Sequence, residues 1–164
     1  MKTFLLLRHA KSSWEDTALP DHDRPLKPRG VKAARRIGRL LREQNLIPER
    51  ILCSTSTRAT ETLRLVEEES QQHAATEFIA ALYHCQPGEF ITALHGVEAA
   101  VNSVMIVGHN PGMEEWLQKL IGKPETMPTG CLVQMSLPLD DWSQVTESTR
   151  GELINIWRPR ELKD

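Results

Sequence analysis

The apolar run Phe4-Leu5-Leu6-Leu7 stops abruptly at Arg8-His9, and this break constrains the chain more than any other feature. A run without polar alternation reads as a strand covered on both faces, the kind found in the middle of a parallel α/β sheet. In open α/β sheets ligands gather beyond the carboxyl ends of the strands, so a cation and an imidazole at that end stand where chemistry is expected. Ser103 to Gly108 repeats the pattern and ends on His109. A third apolar segment, Arg50-Ile51-Leu52-Cys53, runs into a hydroxyl-rich stretch from Ser54 to Thr62 that reads as a turn capping a helix. Arg58 then falls in the first helical turn, against the preference of that end for anions, unless an anion arrives to complete the set. Taken alone, this segment also fits an ordinary surface arginine.

The remaining elements alternate around these three. Ser13 to Arg29 carries Pro20, Pro25 and Pro28 among acids and reads as a loop. Val31 to Asn45 places Val31, Ala34, Ile37 and Leu41 at helical spacing, with an outer face of Arg and Lys that reads as solvated. Glu67 to Thr76 looks like a frayed helix end and a polar loop, and Glu77 to Leu82 like a short strand or extended segment. Pro87 opens a helix with Phe90, Ile91, Leu94 and Val97 on one side, and Pro111 opens another with Met113, Trp116, Leu117, Leu120 and Ile121 inward. Cys131 to Leu137 and Glu152 to Trp157 read as two late strands. The order is that of a doubly wound α/β sheet.

A chain of 164 residues suffices for one domain. A net charge of −2 without a basic stripe offers no footprint for nucleic acid. The apolar run near the start is too short for a signal-peptide core or a membrane span, so a soluble, cytoplasmic protein is expected. Three cysteines, Cys53, Cys85 and Cys131, without CxxC spacing read as small hydrophobes in a reducing compartment. Oligomeric state is left open.

In a doubly wound sheet the three strand ends meet at one crevice, so Arg8, His9, Arg58 and His109 would surround a small volume suited to a dianion. Guanidinium forks match phosphate oxygens, and an imidazole in such a pocket can be the nucleophile. Neither a glycine-rich phosphate loop nor HxxxH metal spacing is present.

Leu7-Arg8-His9-Ala10 resembles the Arg-His-Gly/Ala signature of the histidine phosphatase superfamily, branch 1, which includes the phosphoglycerate mutases. Asp23-Arg24-Pro25-Leu26 ahead of Gly30, Ser54 to Thr62, and Val107-Gly108-His109-Asn110 follow in that family's order. The segments Arg8 to Trp14, Met127-Pro128-Thr129-Gly130 and Trp157-Arg158-Pro159 look like the small SixA-type phosphohistidine phosphatases. The resemblance implies a single domain over residues 1–164, a three-layer α/β/α sandwich with a mostly parallel sheet. It also implies that His9 attacks phosphorus and is transiently phosphorylated. Arg8, Arg58 and His109 would hold the phosphoryl oxygens, with no metal or cofactor. Lys11, Ser12, Asn110 and Thr129 flank the expected pocket and would touch phosphate, or serve as turn and capping residues.

The chain departs from the family where mutase-type members offer a glutamate as general acid: the matching stretch reads Leu82-Tyr83-His84. Glu89, Asp16 or Asp21 remain as candidate acids. Phosphohistidine, whose leaving group needs little protonation, is therefore the expected substrate, carried on a histidine-phosphorylated signalling protein. A general phosphomonoesterase drawing an acid from the Asp16 to Asp23 loop, and a non-catalytic binder of phosphorylated protein, are the alternatives.

Overall fold

The computed structural model describes residues 1–162. Six strands form one sheet in the order β3-β2-β4-β1-β5-β6. These are β1 (Lys2–Arg8), β2 (Arg50–Ser54), β3 (Ala75–Ile79), β4 (Ser103–Gly108), β5 (Leu132–Leu137) and β6 (Glu152–Trp157). The first four strands in that order run parallel, and β5 and β6 are antiparallel to their neighbours. Strands β1 and β4 are central and paired in register from Thr3 with Ser103 to Arg8 with Gly108, which sets the two histidine-bearing ends side by side.

The period-2 alternation of a strand explains why uninterrupted apolar runs were needed here. Leu5, Leu7, Ile51, Cys53, Met105 and Val107 face one way and meet helices α1 (Pro28–Glu43) and α2 (Thr57–Ser70). Phe4, Leu6, Leu52, Val104 and Ile106 face the other way and meet α3 (Pro87–His95) and α4 (Gly112–Ile121). Each fully buried side chain of this size is worth about 1.5–3 kcal/mol over exposure. The second layer is anchored by aromatics: Trp116 lies edge-on to Phe4 and stacks on Phe90, both at 5.3 Å between ring centres.

Several boundaries differ from the sequence reading, each for a local reason. Helix α1 begins at Pro28 rather than Val31, because proline at the first helical position sacrifices no hydrogen bond. The proline-rich stretch before it is more than a loop: Asp21–Asp23 forms a 3-10 turn, and Ser12 pairs with Leu26 in an antiparallel bridge. The Glu77 to Leu82 segment divides into the end of β3 and a second 3-10 turn at Ala80–Leu82.

Two glycines let backbones meet close to the strand ends. A Cβ on Gly30 would lie 2.1 Å from the carbonyl oxygen of Lys11, and one on Gly112 would lie 2.2 Å from that of Cys85. Only glycine allows α1 to press against the segment after β1, and α4 against the segment after the second 3-10 turn. No helix among the described residues is long and apolar enough to cross a membrane.

Candidate active site

The end of β1 is pinned from both sides. The His9 N–H donates to the carbonyl of Gly108 at 3.1 Å, and the Gly130 N–H donates to the carbonyls of Arg8 and His9 at 3.1 and 2.9 Å. The imidazole of His9 is therefore presented on a backbone fixed by β4 and by the turn leading to β5. Its Nδ1 lies 2.8 Å from the carbonyl oxygen of Ala10. A carbonyl only accepts, so Nδ1 carries the proton and Nε2 carries the lone pair. Arg58 Nε donates toward that Nε2 at 3.4 Å. Burial, reinforced by the charges of Arg58, Arg8 and Arg24 and opposed by the Ala10 hydrogen bond, lowers the His9 pKa to about 4. The ring is neutral at pH 7, which is the form a nucleophile requires.

Arg58 is the second residue of α2, whose cap is Ser56: its side chain accepts from the Ala59 N–H at 3.2 Å. The guanidinium is buried and its fork is held by three acceptors. Nη1 donates to the Asp21 carbonyl at 2.7 Å, while Nη2 donates to Asp21 Oδ2 at 2.9 Å and to His84 Nε2 at 3.1 Å. Asp21 is itself fastened by Arg24 Nη1 at 2.9 Å and by the Tyr83 hydroxyl. Partial burial pushes its carboxyl up, but the hydrogen bonds from Tyr83, Arg24 and Arg58 outweigh this and hold it well below the usual carboxylate range.

His109 follows β4 and packs 5.0 Å from His9 between ring centres. Its Nε2 meets Ser54 Oγ at 2.8 Å and Ser56 Oγ at 3.4 Å. Ser54 Oγ accepts from the Ser56 N–H at 3.4 Å; with its hydroxyl proton directed to His109 Nε2, the imidazole hydrogen sits on Nδ1. That Nδ1 is buried and has no partner. A buried donor left unsatisfied costs about 1–3 kcal/mol, so an arriving acceptor there recovers stability. Burial first, then the neighbouring His9, Arg58 and His84, depress the His109 pKa to about 2.

Arg8 stands on a neighbouring wall: Nη1 donates to the Met127 carbonyl at 3.0 Å and its buried Nε has no partner. The structure thus gathers His9, Arg58 and His109 into one cluster, with Arg8 beside it and close enough to bias the His9 charge.

The flanking candidates divide. Lys11 and Thr129 line a cleft with Arg8. Ser12 instead is buried under Arg24, whose Nη2 donates to its hydroxyl at 2.6 Å. Asn110 is likewise committed to scaffolding: Nδ2 donates to the Met127 carbonyl at 2.9 Å and to the Glu114 carboxylate, and Oδ1 accepts from the Glu114 N–H at 3.3 Å. For these two residues the hydrogen bonds match the turn-and-capping alternative that the sequence left open.

The candidate acids are corrected in the same way. Asp21 is ionised and serves as an anchor for two arginines. Glu89 closes the α3 capping box through the Gln86 N–H at 3.0 Å, and Asp16 accepts from the Ala18 N–H at 3.0 Å in an exposed turn. Among the described residues no group of three His, Cys, Asp or Glu side chains could hold a metal ion. Burial pushes the thiols of Cys53, Cys85 and Cys131 up to about 12, so none is held as a thiolate at neutral pH.

Sequence reasoning missed the participation of Tyr83, His84 and Arg24. Tyr83 stacks on His84 with 4.2 Å between ring centres, and each ring lies edge-on to His109 at 5.3 Å. The available signal was the Tyr83-His84 pair itself, standing where the resemblance called for a carboxylate, at the end of a strand segment.

The His9 protonation state has a measurable consequence. Its folded pKa lies below the unfolded value of 6.5, so the unfolded chain binds the proton first as pH falls. Stability should decline from about pH 6.5 downward, by about 1.6 kcal/mol between pH 6.5 and 5 from His9 alone. Urea unfolding across this range should show a slope reduced by about one proton in the His9→Gln variant. An unchanged slope would show that His9 titrates normally in the folded protein.

A doubly wound α/β domain whose strand tips unite an imidazole, a second imidazole and a guanidinium defines a phosphoryl-handling class of protein. The chain belongs to the histidine phosphatase superfamily (branch 1), whose family model matches residues 4–90. That span includes Arg8, His9 and Arg58; His109 lies beyond it. An uncharacterized chloroplastic protein of Arabidopsis thaliana is 34% identical over 130 residues, covering 74% of this chain and 60% of that protein. The chain thus spans under two thirds of that relative's length. A structure from Nakamurella multipartitia, provisionally assigned as the phosphohistidine phosphatase SixA, superposes with a TM-score of 0.85 at 25% identity over 96% of each chain. The protein histidine phosphatase SixA complexed with tungstate gives a TM-score of 0.83 at 24% identity, covering 98% of this chain and 99% of that one, which establishes the shared fold.

Proposed function

We propose that this chain is a phosphatase that hydrolyses phosphohistidine, carried by a histidine-phosphorylated signalling protein, through a phosphorylated His9. The observation that carries this reading is the neutral His9 ring with its Nε2 lone pair exposed to the Arg58 side of the cluster and its Nδ1 proton held by Ala10. His9 Nε2 attacks phosphorus as the P–N bond of the substrate breaks, and the electron pair of that bond leaves with the substrate imidazole. Arg58, Arg8 and His109 Nδ1–H stabilise the charge on the transferring oxygens. Water then attacks the phosphorylated His9, one of its protons passes to a phosphate oxygen, and the ring is released neutral with inorganic phosphate.

The preference for P–N over P–O bonds rests on protons that the site lacks. An alkoxide leaving group needs a general acid, worth about 10²- to 10⁴-fold in rate. Asp21 is held ionised, the Tyr83 hydroxyl is committed as hydrogen-bond donor to Asp21, and His84 Nε2 accepts from Arg58 and carries no proton at that atom. An imidazole already protonated on its far nitrogen leaves as a neutral ring and needs none of these. The expected kcat/KM on a phosphohistidine peptide exceeds that on an alkyl phosphate monoester by about 10² or more. Equal values would replace this reading with a general phosphomonoesterase.

A further inference from the structure

The basic outer face of α1, which reads from sequence as simply solvated, forms one wall of a cleft of about 540 Å³. Six cationic side chains line it: Arg8, Lys11, Arg29, Lys32, Arg36 and Arg160. Among the described residues the other lining positions are Ala33, Pro128, Thr129 and Pro159, none of them a carboxylate. A concentration of one sign in a chain of net charge −2 is a departure from the mixed surface that solubility alone favours. The wall is a built one, because Arg36 Nη1 donates to the Pro159 carbonyl at 3.0 Å and ties the terminal segment to α1. The start of α1 adds its own positive pole, and its first turn holds no acidic residue to offset it.

The cleft adjoins the reaction centre through Arg8 and Thr129, which neighbour His9 and the Gly130 turn that pins it. Arg29, Lys32 and Arg36 are spaced three and four residues apart on one helix face and together cover about 10 Å along the axis. An extended peptide spans that length with about three residues, whereas a single phosphate would engage only one end of it. Arginine forks pair with carboxylates as readily as with phosphates.

We infer that this cleft receives an acidic segment of the substrate protein, lying beside its phosphorylated histidine. The inference rests on the proposed phosphohistidine phosphatase activity and adds the recognition element to it. Acidic side chains entering the cleft align the phosphoryl group with His9 and speed encounter at low salt. Discrimination between substrates is thereby placed outside the reaction centre.

Two synthetic phosphohistidine peptides test this, one flanked by four glutamates and one by four glutamines. The glutamate peptide should show about tenfold or more higher kcat/KM at low salt, with the advantage shrinking at about 0.5 M salt. In an Arg29→Glu, Arg160→Glu double variant the ratio of the two values should fall toward one. A ratio cancels any change in the folded fraction, and Arg29→Gln alone should give an intermediate value. Fluorescence anisotropy with the unphosphorylated glutamate peptide provides a readout independent of turnover, and binding should weaken tenfold in the double variant. Equal rates for the two peptides, a ratio unmoved by the double variant, or competition by inositol hexakisphosphate without any peptide preference would each overturn the inference. Absence of turnover on both peptides with charge-dependent binding intact would instead overturn the phosphatase reading and leave the cleft as an acidic-peptide site.

Discussion

Replacing His9 with alanine is expected to reduce turnover of a phosphohistidine peptide by about 10⁴-fold or more, equivalent to roughly 5.5 kcal/mol of barrier. The size of the effect follows from the covalent route. Without Nε2 no phosphorylated intermediate forms, and Arg58, Arg8 and His109 retain only their stabilisation of a slow direct attack by water. The substituted site keeps its cations, so the variant should still bind the peptide. Rapid quenching after mixing with labelled substrate should trap one phosphoryl group on the unaltered protein and none on the variant. A protein that binds phosphohistidine equally well in both forms and turns over in neither would be a recognition domain, and the catalytic reading would fall.

Arg58→Ala should lower kcat/KM by about 10³-fold, roughly 4 kcal/mol, the worth of two charge-assisted hydrogen bonds to the transferring oxygens. Arg58→Lys should recover little of this, because an ammonium restores the charge but not the planar fork. The substitution also removes one of the charges that depress the His9 pKa, so the acid limb of the kcat/KM profile should move toward higher pH in Arg58→Ala. A purely structural role for Arg58 would lower activity without moving that limb. Global stability should fall by much less than the rate: Asp21, the anchor left behind, is partly exposed and keeps its bonds from Arg24 and Tyr83.

The sheet was legible because of how its strands are written. Phe4 to Leu7 and Val104 to Val107 are fully buried, and only a strand covered on both faces accommodates apolar runs that do not alternate. The start of α3 followed from Pro87 and Ser56 supplied the α2 cap as the hydroxyl cluster implied, whereas α1 begins at Pro28, three residues before the expected Val31. The edge strand β3 was harder to place, since it is mostly exposed and carries no such run. At the site, the nearness of His9, Arg58 and His109 follows from strand order alone. The duties of Ser12 and Asn110 were not legible, because a short polar side chain beside a loop suits either a ligand or a neighbouring loop.

By itself the sequence determined the layered α/β architecture and which strand tips carry imidazoles and guanidinium groups, since burial pattern and residue order are local properties of the chain. Only the tertiary structure decided that His9 presents Nε2, that Asp21 is an ionised anchor for Arg58 across 37 positions, and that Tyr83 reaches the same carboxylate across 62. Those outcomes turn on satisfying buried polar atoms, and the groups that satisfy them arrive from distant segments whose meeting no local pattern encodes.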